Sequence, residues 1–409
     1  MAQRTYLHVG TPKSGTTFLQ RVLWQNAAAL RVQGFLLPGR MVTHYTAARA
    51  ITDRQPLADR PGQRVEAAPA ALSPIDDHAW TKLARQVNRW PGSALIGHPA
   101  LATATAEQAA RAIAAIDGDV HVVVTARPVH LQAALAWQEQ VKAGRSTTLD
   151  AFLERLQSDG NPGQRFWRQH DLTDVLARWR GALPRERVHV VSVPGTTPQT
   201  RPIEARDLWT RYAGVLGLDP MAYDARFDVV ATGLGVVESE LLRAVHARRD
   251  PRFTDPQRHV WTRQLLANGV LARRPGAPLR LPMHARPWLS DKSRRMADDI
   301  RAEGYDVAGD PTVLGWSEPP AEARLVSDAT EQELESLASW TILRLQEELV
   351  HREPVTSPPP VGPDDGVEGI LELLEHIRAA DTGQPPRSAP RDPSRTIRLR
   401  QVLPVRRSR

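Results

Sequence analysis

The sequence predicts a three-layer α/β fold, a central parallel sheet of about five strands with helices on both faces, followed by a C-terminal helical region. Short β-branched runs alternate with longer helix-period segments through the first 240 residues, the pattern of a parallel sheet. The most β-branched run, 120–125 (Val-His-Val-Val-Val-Thr), is nearly continuous rather than alternating, as a strand buried on both faces requires. From about residue 208 onward only helical patterns remain.

The elements follow in order. Residues 5–9 form the first strand, a Gly-containing loop follows, and a helix runs over about 16–32. Residues 34–37 read as a second strand closed by Pro38-Gly39. A helix over 76–90 leads to a strand at 94–96 that ends at Gly97-His98-Pro99. Thr105 and Gln108 have the spacing of a capping box for a helix through 116. After the strand at 120–125 come helices at about 129–142 and 172–183, then a strand at 188–193. The helical part holds 208–216, 238–248, 291–303 and 331–349, the last opened by a Thr330/Glu333 capping box. Residues 354–363 are a Pro-rich linker, and 366–379 have the pattern of a short amphipathic helix. The chain therefore divides into a core at 1–240, a helical extension packing on it at 241–352, and a Pro/Arg-rich linker and basic, disordered tail at 353–409.

Composition narrows the function. Cysteine is absent, which removes disulfides, thiolate metal sites and a cysteine nucleophile. The first residues read as a strand rather than a targeting segment, and no apolar run has the length of a membrane span, so a cytoplasmic protein is expected. The formal charge is +7, but residues 381–409 hold eight Arg against two Asp. That tail accounts for nearly all the excess and suits anionic surfaces. The body is close to neutral, and no specific nucleic-acid partner is expected.

The strongest local signal is His8-Val9-Gly10-Thr11-Pro12-Lys13-Ser14-Gly15-Thr16-Thr17-Phe18. A strand ends, a tight loop follows, and a helix begins at paired hydroxyls, which aims unpaired amides and the positive helix end at one point, as an anion site needs. Gly10 and Gly15 have the spacing of nucleoside-triphosphate loops, yet Thr16 stands where those loops carry the Lys that reaches the distal phosphates. The Lys sits inside the loop instead, at Lys13, which disfavours an ATPase or GTPase.

Pro12–Phe18 resembles the 5′-phosphosulfate loop of sulfotransferases that use 3′-phosphoadenosine 5′-phosphosulfate (PAPS), most closely the divergent bacterial-type members. Trp137-Gln138-Glu139, Asp207-Leu208-Trp209 and Leu216-Gly217 add to the likeness. The resemblance covers about residues 4–240 and implies a P-loop nucleotide-kinase-like fold. It further implies sulfuryl transfer from PAPS to a hydroxyl or amine of a small-molecule or glycan acceptor, without a metal. It places Lys13 near the bridging oxygen, Ser14, Gly15, Thr16 and Thr17 as donors to phosphate and sulfate, and Phe18 against adenine. Arg127, after the strand at 120–125, corresponds to the family's 3′-phosphate Arg. Leu135 stands where the family has a Ser, with Gln132 or Gln138 as substitutes; the family's late Arg-Lys-Gly loop has no clear counterpart, and Thr232-Gly233-Leu234-Gly235 reads as a helix-capping loop in that place. The general base is His98, after the third strand, with Glu139 in reserve. The rival readings are a nucleotide-binding protein of the same fold without turnover, and a nucleotide or small-molecule kinase.

Overall fold

The computed structural model describes residues 4–52, 76–158, 165–181, 183–193, 201–226, 233–352 and 361–387. Strand β1 (Thr5–His8) is followed by helices α1 (Thr16–Gln25) and α2 (Ala27–Val32), then β2 (Phe35–Leu36), α3 (Met41–Thr52) and α4 (Ala79–Asn88). Next come β3 (Ser93–Gly97), α5 (Ala106–Ala114), β4 (Val120–Ala126) and α6 (Val129–Lys142). Helices α7 (Leu149–Ser158), α8 (Arg165–His170) and α9 (Leu172–Arg180) precede β5 (Val188–Ser192) and α10 (Arg201–Val215). The remainder is α11 (Val236–Ala247), α12 (Asp255–Arg258), a π-helix (His259–Val270), α13 (Arg286–Glu303), β6 (Asp306–Ala308), α14 (Glu331–Val350) and α15 (Gly366–Thr382).

All strand pairings are parallel, in the order β2-β3-β1-β4-β5-β6. Alternate side chains of one strand enter opposite layers, which is why these strands are apolar throughout. Leu7 of β1, Val122 and Val124 of β4 and Val190 of β5 enter a large core with α4, α5, α6 and α9. Tyr6, Val123 and Val191 enter a second core with Leu19 and Leu23 of α1 and Trp209 and Tyr212 of α10. The sheet thus lies between two helical layers, as expected.

The expected strand count is corrected from about five to six. The additional strand, β6, comes from the part read as helical only, and it pairs His189 of β5 with Asp306. It is three residues long and follows Gly304, whose left-handed φ of 69° ends α13. The helix read over 16–32 breaks at Asn26, whose side-chain amide donates to the Val22 and Asp224 carbonyls at 2.8 Å each. Both expected capping boxes form.

Helix α15 is longer than the 366–379 read from sequence, and it is no part of a loose tail. Val367, Ile370, Leu374 and Ile377 are buried in the large core with Ile342 and Leu345 of α14. The Glu375–Arg378 pair, at 2.8 Å, is fully enclosed. The linker at 353–360 and the basic tail beyond 387 lie outside the described residues. Among the described residues no helix is long and apolar enough to cross a membrane.

Candidate functional site

The chain leaves β1 for the outer strand β2, returns through β3 beside β1, and then crosses to β4 on the other side. Strand order reverses at β1, and in parallel sheets the crevice at the carboxyl ends beside such a reversal receives ligands. The strands are parallel, so the loop after β1, His98 after β3 and Arg127 after β4 all lie at this one edge. Those are the three segments singled out in the sequence.

The floor of the loop is a network of uncharged hydrogen bonds around Thr125, near the end of β4. Val9 N–H donates to Val123 O at 2.8 Å and Thr11 N–H to Thr125 O at 3.1 Å, so the chain after β1 stays tied to β4. The Thr11 hydroxyl donates to Thr125 O at 3.0 Å. The buried Ser14 hydroxyl lies 2.5 Å from Thr11 O and 2.7 Å from Thr125 Oγ1. His8 Nε2 lies 3.3 Å from the same Thr125 oxygen. Gln132 of α6 donates to Thr11 Oγ1 at 2.7 Å and to Pro12 O at 3.2 Å. A Cβ at Gly10 would stand 2.3 Å from Thr125 Oγ1, so only glycine fits over this floor.

Above the floor the backbone turns with two left-handed residues, Lys13 at φ 67° and Gly15 at φ 79°. Gly15 is the N-cap of α1 and gives it no side-chain cap, so the first amides of α1 open on the loop. Thr16 is buried, the Thr17 side chain is exposed, and Phe18 is half-buried against the second core.

Lys13 reaches sideways to Glu139 of α6, with Nζ 2.8 Å from Oε1. Glu139 also takes Arg263 of the π-helix at 2.8 Å and Lys142 at 3.6 Å. Three cations share one carboxylate, and the Lys142 side chain is only 4% exposed. Burial pushes the Glu139 carboxyl up, but Lys13, Lys142 and Arg263 outweigh it and hold it at about 2. Burial also lowers Lys142, with Glu139 opposing and the neighbouring cations adding. The cluster carries a net double positive charge beside the loop.

Three imidazoles, His8, His98 and His44, neighbour one another at the ends of β1 and β3. Burial, and next His98, push His8 down to about 3; burial, and next His44, push His98 down to about 4. His98 Nδ1 accepts the Ala100 N–H at 3.1 Å and caps the short 3₁₀ turn Pro99–Thr103. The neutral ring therefore carries its proton on Nε2 and presents a donor. Its ring packs on Tyr45, with centroids 4.8 Å apart. His44 accepts the Gly97 N–H on Nδ1 at 3.2 Å and donates from Nε2 to Pro38 O at 2.8 Å.

Arg127 is half-buried directly after β4, ahead of Pro128 and α6. The two glutamines weighed as replacements at the Leu135 position are both committed elsewhere. Gln132 braces the loop, and Gln138 donates to Leu234 O at 2.7 Å and to Ser239 Oγ at 3.2 Å. Of the segment 232–235, residue 232 lies outside the described residues. Gly235 forms the N-cap of α11 against Gly276.

Thr125, Lys142, Arg263 and His44 were not singled out in the sequence. A Thr ending a β-branched strand two residues before Arg127 is a readable signal, and so is a Lys three residues after Glu139 on one helix face. Nothing local announces Arg263, which arrives from 124 residues away. No family model matches the chain, and neither the curated proteins nor the solved structures contain a match for it.

Proposed function

We propose that the chain is a PAPS-dependent sulfotransferase built on a P-loop-type loop, with the crevice at the carboxyl ends of β1, β3 and β4 as its donor site. One observation carries the reading: Lys13, the uncapped start of α1 and Arg127 share the edge of the sheet at which strand order reverses. The residues fit the group. The uncapped start of α1 and Lys13 suit the 5′-phosphosulfate, and Glu139 occupies on Lys13 the place of an anion. Arg127, whose guanidinium suits bidentate phosphate contact, takes the 3′-phosphate.

When bound, PAPS supplies a sulfuryl group whose sulfur–oxygen bond to phosphate breaks as the bond to the acceptor oxygen or nitrogen forms. Lys13 and the amides of α1 stabilise the charge that grows on the departing phosphate oxygen, in place of a metal. The acceptor proton passes to solvent water as the new bond to sulfur forms, and we read His98 as a donor in place of the base expected from the sequence. With Nδ1 engaged by Ala100, His98 donates from Nε2 to a sulfuryl oxygen instead of removing the acceptor's proton. Glu139 at about 2 is too weak a base for the task, and it acts as the partner that positions Lys13.

The test is thermal stabilisation of the full chain by adenosine 3′,5′-bisphosphate against ATP, both in excess chelator. The bisphosphate should raise the melting temperature well above the shift given by ATP. Equal shifts, or an ATP shift that appears only when Mg²⁺ replaces the chelator, would turn the reading towards a kinase.

A further inference from the structure

A cavity of about 340 Å³ lies outside the crevice, between the end of α6, the end of α11 and the segment from α12 into the π-helix. Its size falls near the lower end of small-ligand sites, roughly 300–1,000 Å³. Three guanidinium groups line it: Arg145 just beyond α6, Arg249 just beyond α11, and Arg258 at the start of the π-helix. The one carboxylate in the lining, Asp250, is taken up by Arg252, which contacts both its oxygens at 2.7 to 3.1 Å. No carboxylate among the described residues pairs with Arg145 or Arg249. His246, also in the wall, is pushed down to about 4 by burial and then by Arg258, so it adds a polar edge and no charge.

The wall is fixed before any ligand arrives. Trp137 Nε1 donates to Thr147 O at 3.0 Å, and Arg243, itself chelated by Glu240 at 2.6 to 3.0 Å, donates to Ser146 O at 3.4 Å. A preformed polar wall lowers the ordering cost of binding.

The same two elements hold the ion cluster at Lys13. Glu139 lies in the last turn of α6, Gly144 of the cavity wall lies two residues beyond its end at Lys142, and Thr262 of the wall precedes Arg263 of the cluster. The ion cluster and the cavity wall therefore share two supports, α6 with the turn after it and the π-helix.

We infer that this cavity seats the sulfate acceptor, and that the acceptor is itself an anion whose carboxylate, phosphate or sulfate group rests on Arg145 and Arg249. This rests on the crevice at Lys13 being the donor site. Anion recognition by paired Arg suits a cavity whose described lining holds Arg145 and Arg249 and whose one described carboxylate, Asp250, is held by Arg252.

The experiment is calorimetric titration of the full chain, saturated with adenosine 3′,5′-bisphosphate, using D-glucuronate, its neutral counterpart D-glucose, and inorganic sulfate. The bisphosphate itself is titrated separately. The wild type should bind glucuronate and not glucose. The Arg145→Ala/Arg249→Ala variant should bind it about tenfold or more weakly, the scale of a lost charge-assisted contact, with bisphosphate affinity unchanged. The Arg145→Lys/Arg249→Lys variant should recover part of the loss and so separates charge from folding. A wild type that binds bisphosphate but neither glucuronate nor sulfate, or an Ala variant that binds them equally well, overturns the acceptor assignment alone. A chain that does not bind bisphosphate overturns the donor site and the acceptor assignment with it.

Discussion

The floor of the loop and its rim hold their polar groups by opposite means. Below, Thr11, Ser14, Thr125, His8 and Gln132 close a buried network with no formal charge. Above, Lys13, Lys142 and Arg263 surround one carboxylate, and both Lys13 and Glu139 remain partly exposed. A neutral buried network is costly to break and fixes backbone shape. A half-exposed ion pair is worth little and yields to a better anion. The floor should therefore govern stability and the rim should govern ligand affinity and turnover.

Lys13→Gly separates the two most strongly. Removing the amine should lower turnover about ten- to a hundredfold, the equivalent of roughly 1.5–3 kcal/mol for a contact to a charged group. The same change relieves a left-handed non-glycine residue, so the melting temperature should rise or hold, the backbone gain being about 1 kcal/mol. Steady-state rates with any working acceptor, together with a melt, check both signs. Arg127→Ala should act mainly on bisphosphate affinity, because the 3′-phosphate is unchanged during transfer.

Thr125→Val should do the reverse. It keeps the β-branched shape of β4 but leaves the buried His8 Nε2 without its partner and the Ser14 hydroxyl with Thr11 O alone. A loss of about 1–3 kcal/mol in unfolding free energy follows from unsatisfied buried groups, read by denaturant titration. A Thr125→Val chain as stable as wild type but unable to bind nucleotide would reverse the assignment of floor and rim.

His98 distinguishes donor from base. His98→Ala should slow transfer by about 10²-fold, the scale of one lost transition-state donor, while His98→Gln, whose amide can donate, should recover most of it. A base role predicts the reverse for Gln, which cannot take a proton. Because His98 titrates at about 4, the rate should show no acid limb from this group between pH 6 and 8, and protonation should matter only as pH falls towards 4.

How much of this was legible in the sequence follows the same division. The strands of the sheet centre and the two capping boxes rest on local patterns, and each formed within a few residues of its expected place. The loop was legible because strand, glycines, lysine and paired hydroxyls are contiguous. β6 was not, since three residues carry no period of their own and become a strand only by lying beside β5. The reading of Glu139 as a reserve base was blind to Arg263, which is brought to it by tertiary packing of the π-helix. Likewise, the tail was bounded by composition, whereas α15 belongs to the core through Ile370 and Leu374 packing with α14.

Glu139→Gln is the smallest and most informative change at the rim. The carboxylate competes with a bound anion for Lys13, and both partners are partly screened by solvent, so releasing it is worth at most about 1 kcal/mol. Bisphosphate affinity should improve about two- to fivefold at low ionic strength, with a steeper dependence on salt, because one more net positive charge then faces the ligand. Acid cannot substitute for the mutation. The folded carboxyl at about 2 lies below the ordinary carboxylate range, so its stabilising contribution is complete above about 4.5 and is lost only as pH falls towards 2. Titration from pH 7 to 5 should therefore leave the Lys13 pair closed. The variant should also be less stable, since Lys142 is deeply buried and would lose its carboxylate. Weaker bisphosphate binding in Glu139→Gln, measured by calorimetry at two salt concentrations, would show instead that Glu139 aims Lys13 at the phosphosulfate and does not compete with it.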